Sequence, residues 1–584
     1  MSSFFKMFFA SLLALVVFVL VALFFLVAAI RSAAKDKVNV ARKSVLVLNL
    51  GQFYNEQVTQ PPLAVISGDV EKIIPGLYDV VRLLKKAKED DKIEGLLIQA
   101  VASPNGHAAS TEIRDALVDF KKSGKFIIAH ADVITQRSYS IANIADKIYL
   151  SPHGYLEWRG YSVEYAFLKG TLEKLDIEPQ VFYAGKFKSA TEPFRSDKMT
   201  EENRLQTTVW MNDLYNDLLL QTAAARKLDT AILRRLAVSG SVQTARDALD
   251  HGLVDGLKYD DEIKDELKAR LDIGKYERIN FISINAYRAA GTYTPKKGEK
   301  IALIYAEGNI IDGEGEQGKI GGESYRSLIR KARLDRSIKA IVLRINSGGG
   351  SAMASENIWR ELELAKKEKP VIVSFGDVAA SGGYYIACMA DSIFSQPSTI
   401  TGSIGVFGIV PNMQGFFKNK LGITFDGVKT GPYADGMTIT RPMNEQEKKI
   451  IQAEIDNIYS LFKKRVADGR KKDTAYIDSI AQGRIWTGTR AREIGLVDRL
   501  GGLETAIASA ARKARLDDYQ VKEYPEPVNI FGQLFGRSND PVNYSNLLKQ
   551  ELGEENYRIF KQMKEVRDMT NSAQARIPFE FFIR

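Results

Sequence analysis

Two stretches of this chain, 245 positions apart, are versions of one another, and that repeat constrains the fold more than any other feature. GLLIQAVASPNGHAASTEIRDAL (95–117) falls without a gap on AIVLRINSGGGSAMASENIWREL (340–362). At the same spacing, ADVITQRSYSIANIADKIYLSP (131–152) falls on GDVAASGGYYIACMADSIFSQP (376–397). Shared residues include Ser110/Ser355, Asp132/Asp377, Tyr139/Tyr384, Asp146/Asp391 and Pro152/Pro397. HGLVDGL (251–257) and IGLVDRL (494–500) extend the match at nearly the same offset. Agreement over this span means two copies of one domain. They are bounded at 44–297 and 298–520, with GTYTPKKGEK (291–300) as the linker and a tail over 521–584.

Within each copy, short β-branched runs alternate with helical stretches. SVLVLNL (44–50), GLLIQAV (95–101), KFIIAHA (125–131), KIALIYA (300–306), AIVLRIN (340–346) and PVIVSF (370–375) read as strands. Continuous apolar strands separated by helices predict an α/β fold with mostly buried parallel strands.

Before the first copy, Phe8 to Ile30 carries no charge and a single Ser. A helix of that length spans about 34 Å, enough for a bilayer core of about 30 Å. It exceeds the 7–15 apolar residues of a cleavable signal peptide. Ser32-Ala33-Ala34 offers a small-residue cleavage site, but length favours an uncleaved single-pass anchor over residues 1–43, its helix at about 8–30. Lys6 precedes it, and Arg31, Lys35, Lys37, Arg42 and Lys43 follow. Flanking charge alone would place the body of the chain in the cytoplasm.

The chain has 4 His and 1 Cys among 584 residues. A single Cys388 excludes an internal disulfide and any Cys-cluster metal site. His107, His130, His153 and His251 all precede the second copy, and none forms an HExxH or i,i+4 pair. Chemistry in the second copy therefore runs without a Ser-His-Asp or Cys-His catalyst. The net charge of +9 is spread among 81 bases and 72 acids, which reads as a mixed solvated surface with some attraction to anionic membrane. No motif supports nucleic-acid binding.

The chemistry lies where the copies differ. In the second, one strand enters Ser347-Gly348-Gly349-Gly350-Ser351 and another enters Ala380-Ser381-Gly382-Gly383, each before a helical stretch. A Ser at a strand-to-helix turn presents a nucleophile, and the next N–H, on Gly382, stabilises an oxyanion. The competing reading is a Gly-rich turn with Ser as helix cap. The first copy has Gln136 in place of Ser381, with Arg137 and Ser138 in place of the two glycines. It has two lysines in Gly185-Lys186-Phe187-Lys188-Ser189-Ala190, and laying 177–194 on 423–440 sets Ala434 opposite Lys188. A surface lysine is the ordinary reading. A split site is the sharper one, because a buried lysine with a lowered pKa serves a serine as base without histidine.

Taken together, INSGGGSAMASE (345–356), GDVAASGGYYIA (376–387), GSIGVFG (402–408) and GKFKSATEPF (185–194) resemble the signal peptide peptidase A family in its long two-repeat form. That family belongs to the Clp protease/crotonase superfamily. The resemblance implies tandem ββα-spiral domains, Ser381 as nucleophile and Lys188, the lysine directly before Ser-Ala, as general base. It also implies Ser403 as a hydrogen-bond partner of that lysine, and Gly382 and Gly350 as oxyanion donors. Lys186 is the second choice for the base. The family pattern NSPGG has a proline where this chain has Gly348, which loosens the turn. No cofactor or metal is implied. The implied partners are remnant signal peptides, the lipid bilayer and three further copies in a homotetramer. The implied location is the inner membrane, with the body on the periplasmic side despite the flanking charges. Two rival readings remain: an acyl-CoA enzyme on the same scaffold, and a non-catalytic membrane-tethered ring that binds unfolded chains. The Ser–Lys pairing and the anchor argue against the first, and reaction of Ser381 with a serine probe decides the second.

Overall fold

The computed structural model describes residues 2–33, 38–61, 64, 69–291, 293–294, 297–315, 318–526 and 573–577. The first copy builds a parallel sheet and the second a mostly parallel one. In the first, the six strands lie in the order Gly256–Leu257, Lys147–Leu156, Phe126–Ile134, Ile93–Gln99, Ser44–Asn49, Asn280–Ser283. All five pairings are parallel. In the second copy, Val371–Ala380, Ile338–Ser347, Glu299–Glu307 and Tyr519–Tyr524 lie side by side and parallel. Every segment read as a strand from its apolar run is one. Such strands are buried on both faces, so sequences like Ile338–Ser347 are apolar almost throughout.

The repeat holds in detail. Helix His107–Lys121 in the first copy and helix Ala352–Lys366 in the second begin and end 245 positions apart. Several shared residues are scaffold: Tyr139 Oη donates to Leu253 O (2.6 Å) and Tyr384 Oη to Leu496 O (2.8 Å). Asp255 and Asp498 accept backbone N–H groups from Ile148 and Ile393 in the same way.

A third sheet joins the copies. Strand Glu178–Ala184 from the first pairs antiparallel with Val406–Asn412 from the second, Ala184 opposite Val406. The join is reinforced below it. Arg344, fully buried on strand Ile338–Ser347, meets Glu56 Oε2 at 2.9 Å and Glu112 Oε1 at 2.6 Å, both first-copy acids. Its Nη1 donates to Ser374 Oγ and Phe375 O. Asp377 Oδ1 accepts the Ala108 and Ala109 N–H groups at the start of helix His107–Lys121.

An apolar helix runs from Ser2 to Ala33. The side chains described on it, such as Phe8, Leu13, Phe18 and Phe24, are exposed. Among the described residues no helix is long and apolar enough to cross a membrane. Two apolar stretches of the tail, 527–535 and 578–583, lie outside the described residues, as do Thr292, Pro295 and Lys296 of the linker.

Candidate active site

Three remote segments meet at the end of the second copy's sheet. Strand Val371–Ala380 runs into Ser381 at φ 56°, ψ −115°, then into helix Gly382–Ala387. A side chain in that region is strained and persists only where its surroundings fix it. Here Ser381 N–H donates to Gly402 O, and Tyr385 N–H closes the first helical turn on Ser381 O, both at 2.8 Å. A strand, a sharp strained turn and a helix together present a hydroxyl at the sheet's end.

Lys188 arrives from the first copy on the loop after strand Glu178–Ala184. Phe187 N–H donates to Gln482 O (2.8 Å). Gln206, on helix Glu201–Arg226, donates to Phe187 O and Ser189 Oγ and accepts the Ile485 N–H, all at 3.1 Å. Glu192 anchors the following turn by accepting from Thr200 and Asn203. Held in this way, Lys188 Nζ stands 2.8 Å from Ser381 Oγ, 3.0 Å from Ser403 Oγ and 3.1 Å from Ser403 O. Ser381 and Ser403 are fully buried and Lys188 is 1% exposed. Burial disfavours the charged ammonium and holds the Lys188 pKa well below the usual lysine value. Lys186 is exposed, its ammonium 5.4 Å from the Phe187 ring centroid.

The two glycine-rich turns also come together. Gly349, at φ 97°, approaches so closely that a methyl group on it would lie 2.6 Å from Gly382 N. Gly350 is bridged to Ile310 on its other side. The five residues singled out in sequence, Ser381, Lys188, Ser403, Gly382 and Gly350, therefore share one region. Residues 423–440, set opposite the lysine segment in the repeat, instead form a largely exposed loop. In the first copy the corresponding turn is filled. Gln136 donates to Gly160 O and accepts from Arg159 and Gly160 N–H, while Asn105 bonds Tyr54 and Gln52.

Sequence reasoning missed Gln206, Gly483 beside Lys188, and the strand Gln574–Arg576 in this cleft. Gln206 carries no motif, and the tail strand has no apolar run.

One peptidase family matched in both repeats, together with long relatives that are proteases, makes this chain a serine protease. The chain belongs to peptidase family S49, whose model matches residues 119–274 and 363–517, once in each copy. It is 38% identical to Protease 4 of Salmonella typhi over 464 residues, 78% of this chain and 74% of that one. Identity to Protease 4 of Haemophilus influenzae is 35% over 500 residues, covering 82% and 80%. The chloroplastic serine protease SPPA of Arabidopsis thaliana is 32% identical over 441 residues, covering 74% and 64%. Among solved structures, a ClpP1 mutant of Listeria monocytogenes aligns with 35% of this chain and 94% of its own at 16% identity, with a TM-score of 0.24.

Proposed function

We propose that the chain is a membrane-anchored endopeptidase working through a Ser381–Lys188 dyad on signal peptides left after preprotein cleavage. The observation that carries this reading is the 2.8 Å contact between Lys188 Nζ and Ser381 Oγ in a buried site. Desolvation favours the neutral amine of Lys188, the form that accepts a proton. As Ser381 Oγ attacks the scissile carbonyl carbon, its proton passes to Nζ. The Gly382 and Gly350 N–H groups hold the developing oxyanion. The leaving amine takes the proton from Nζ, and the ester remains on Ser381. Water, deprotonated by the same amine, then releases the acyl group. Ser403, through its Oγ and O, keeps Nζ aimed at Ser381. An extended peptide would pair with Gly349–Ser351 in the place that strand Gln574–Arg576 holds, with side chains in adjoining pockets. An apolar cavity of about 350 Å³, lined by Val410, Ile455 and Ile458 among others, suits the apolar side chains of signal peptides.

The uncharged segment Phe8–Ile30 and the exposed apolar helix that contains it support anchoring to the bilayer. Placement of the body on the periplasmic face of the inner membrane, and assembly as a homotetramer, rest on the family resemblance.

Labelling with a fluorophosphonate, combined with hydrolysis of a synthetic signal peptide, tests the dyad. Wild type should label and cleave, Ser381→Ala should do neither, and Lys188→Ala should lose nearly all of both. Cleavage by purified Ser381→Ala would overturn the assignment. Membrane flotation and sedimentation velocity in detergent test the anchor and the tetramer.

A further inference from the structure

Direction along the cleft is set by strand Gln574–Arg576. It lies between Gly349–Ser351 and Val406–Asn412, with Ala575 opposite Gly350 and Gln574 opposite Phe407. Both pairings are antiparallel. In the same register, the next positions of a peptide in that place run past Val406 and Gly405 toward Ser403. That end of the cleft is walled by the turn before strand Ile485–Thr487. Gly483 N–H donates to Ile404 O (2.8 Å), and Ser403 N–H donates to Arg484 O (2.7 Å). A methyl on Gly405 would lie 2.9 Å from Gly483 Cα. The C-terminal half of a substrate therefore heads for Gly483 and Arg484.

Arg484 is fixed there without a counter-ion. Its guanidinium carbon stands 4.3 Å from the Trp486 ring centroid and 5.0 Å from that of Phe187, the residue before Lys188. The indole is itself held, Trp486 Nε1 donating to Ile480 O (3.0 Å). Stacking on rings takes the faces of the planar guanidinium and leaves its N–H edge for a ligand. Among the described residues no carboxylate lies within ion-pair distance of Arg484. The charged side chain that acts on it is Arg490, which is repulsive, and Asp213 bonds Arg490 instead, at 2.6 and 2.9 Å. Lys186 brings a second cation to within 5.4 Å of the same Phe187 ring. A half-buried arginine in this state has lost part of its hydration, and an anion that arrives with a substrate makes a charge-assisted hydrogen bond to it.

A signal peptide freed from its preprotein ends in a carboxylate, whereas the same stretch inside a longer chain carries a neutral peptide bond there. The geometry points to Arg484 as the residue that binds the C-terminal carboxylate of the substrate, so that the enzyme takes released peptides ahead of the same sequence within an uncut chain. This assignment deepens the proposed function and rests on the dyad. The carboxylate accepts from the guanidinium edge while the scissile carbonyl lies at Ser381. The span between the two sets how many residues follow the cleaved bond. Lys186, exposed beside the same ring, adds to the attraction. An acidic side chain at the end of a peptide carries the same chemistry, and the peptides below separate it from the terminus.

The test uses the full chain in detergent and one synthetic signal peptide, lengthened stepwise beyond its main cleaved bond. Each length is made with a free C-terminal acid and with a C-terminal amide, and products are identified by mass. At one length wild type should hydrolyse the acid with kcat/KM about 10- to 100-fold above the amide, the range for a hydrogen bond to a charged group. Arg484→Gln should erase that ratio, chiefly through a higher KM for the acid. Arg484→Lys, which keeps the charge without the fork, should keep part of it. An amide ending in Asp should stay slow, and full recovery by that peptide would deny the terminus its role. Equal rates on acid and amide by wild type at every length overturn the assignment and leave the dyad standing. An acid preference that survives in Arg484→Gln, with both peptides slowed in proportion, makes Arg484 a prop for the lysine loop and overturns it as well. Hydrolysis of neither peptide by wild type overturns the dyad itself.

Discussion

Gly483 stands against the backbone of Lys188: a methyl group on it would lie 2.7 Å from Lys188 N and 2.8 Å from Cα and Cβ. Its φ of 73° is also one that side chains rarely adopt. Gly483→Ala therefore has to push the lysine loop away from Ser381. A displacement of about 1 Å at a reacting group costs about 100-fold in rate. We expect kcat to fall by that order, with KM for a signal peptide nearly unchanged and the circular dichroism spectrum preserved. A mutant with wild-type kcat would show that the contact does not set the dyad.

The dyad also predicts a pH profile. Only the neutral Lys188 amine accepts the Ser381 proton, so kcat/KM should rise with pH through the lowered pKa of the free enzyme. Lys188→Arg should not rescue, because a guanidinium stays charged. Lys188→Met should lose about 100- to 10,000-fold in kcat. Its stability should lose a slope as well. The folded pKa lies below the unfolded one, so between them the unfolded chain binds more protons, and wild-type stability rises with pH across that window. Methionine binds no proton there, and urea midpoints across pH should be flatter in the variant.

What was legible in sequence follows from range. The buried strands announce themselves by continuous apolar runs, and the Ser381 turn by small residues at a strand end, both local signals. Lys188 became visible by contrast, one copy having what the other lacks. Its fixation did not. Gln206 acts from helix Glu201–Arg226 on Ile485, 279 positions away, and no local pattern encodes such a pairing. The same holds for Ala575 beside Gly350, where a polar tail with two alanines supplies a strand.

Arg344 tests the join between the copies. Its guanidinium is fully buried between Glu56 and Glu112, and removing one member strands charges out of water. Breaking such a buried group costs about 3–5 kcal/mol. Arg344→Ala should lose stability of that size in urea unfolding. Because Glu56 and Glu112 belong to the first copy, it should also loosen the copy that brings Lys188, and activity should fall with it. Replacing all three by apolar residues, Arg344→Met with Glu56→Leu and Glu112→Leu, should recover much of the stability. A single mutant as stable as wild type would deny the cluster its role.

The cavity beside Ala573 predicts selectivity two residues before the peptide residue that pairs with Gly350, the place Ala575 holds in the structure. Ala573 occupies that position relative to Ala575, and the cavity of about 350 Å³ far exceeds a methyl group. A Leu or Phe side chain placed there leaves water for Val410, Ile455 and Ile458, and full burial of such a side chain is worth about 1.5–3 kcal/mol. Peptides with Leu at that position should show kcat/KM about 10- to 100-fold above those with Asp, which would meet the rim acids Asp312 and Glu454. Gly408 gives the means to reverse this. A methyl on it lies 3.4 Å from Ile455 Cδ1, so there is room for a side chain that projects into the cavity. Gly408→Leu should fill the space, erase the advantage of Leu over Ala in the peptide series, and leave hydrolysis of the Ala peptide close to wild type. An unchanged Leu preference would mean that the cavity does not read that residue.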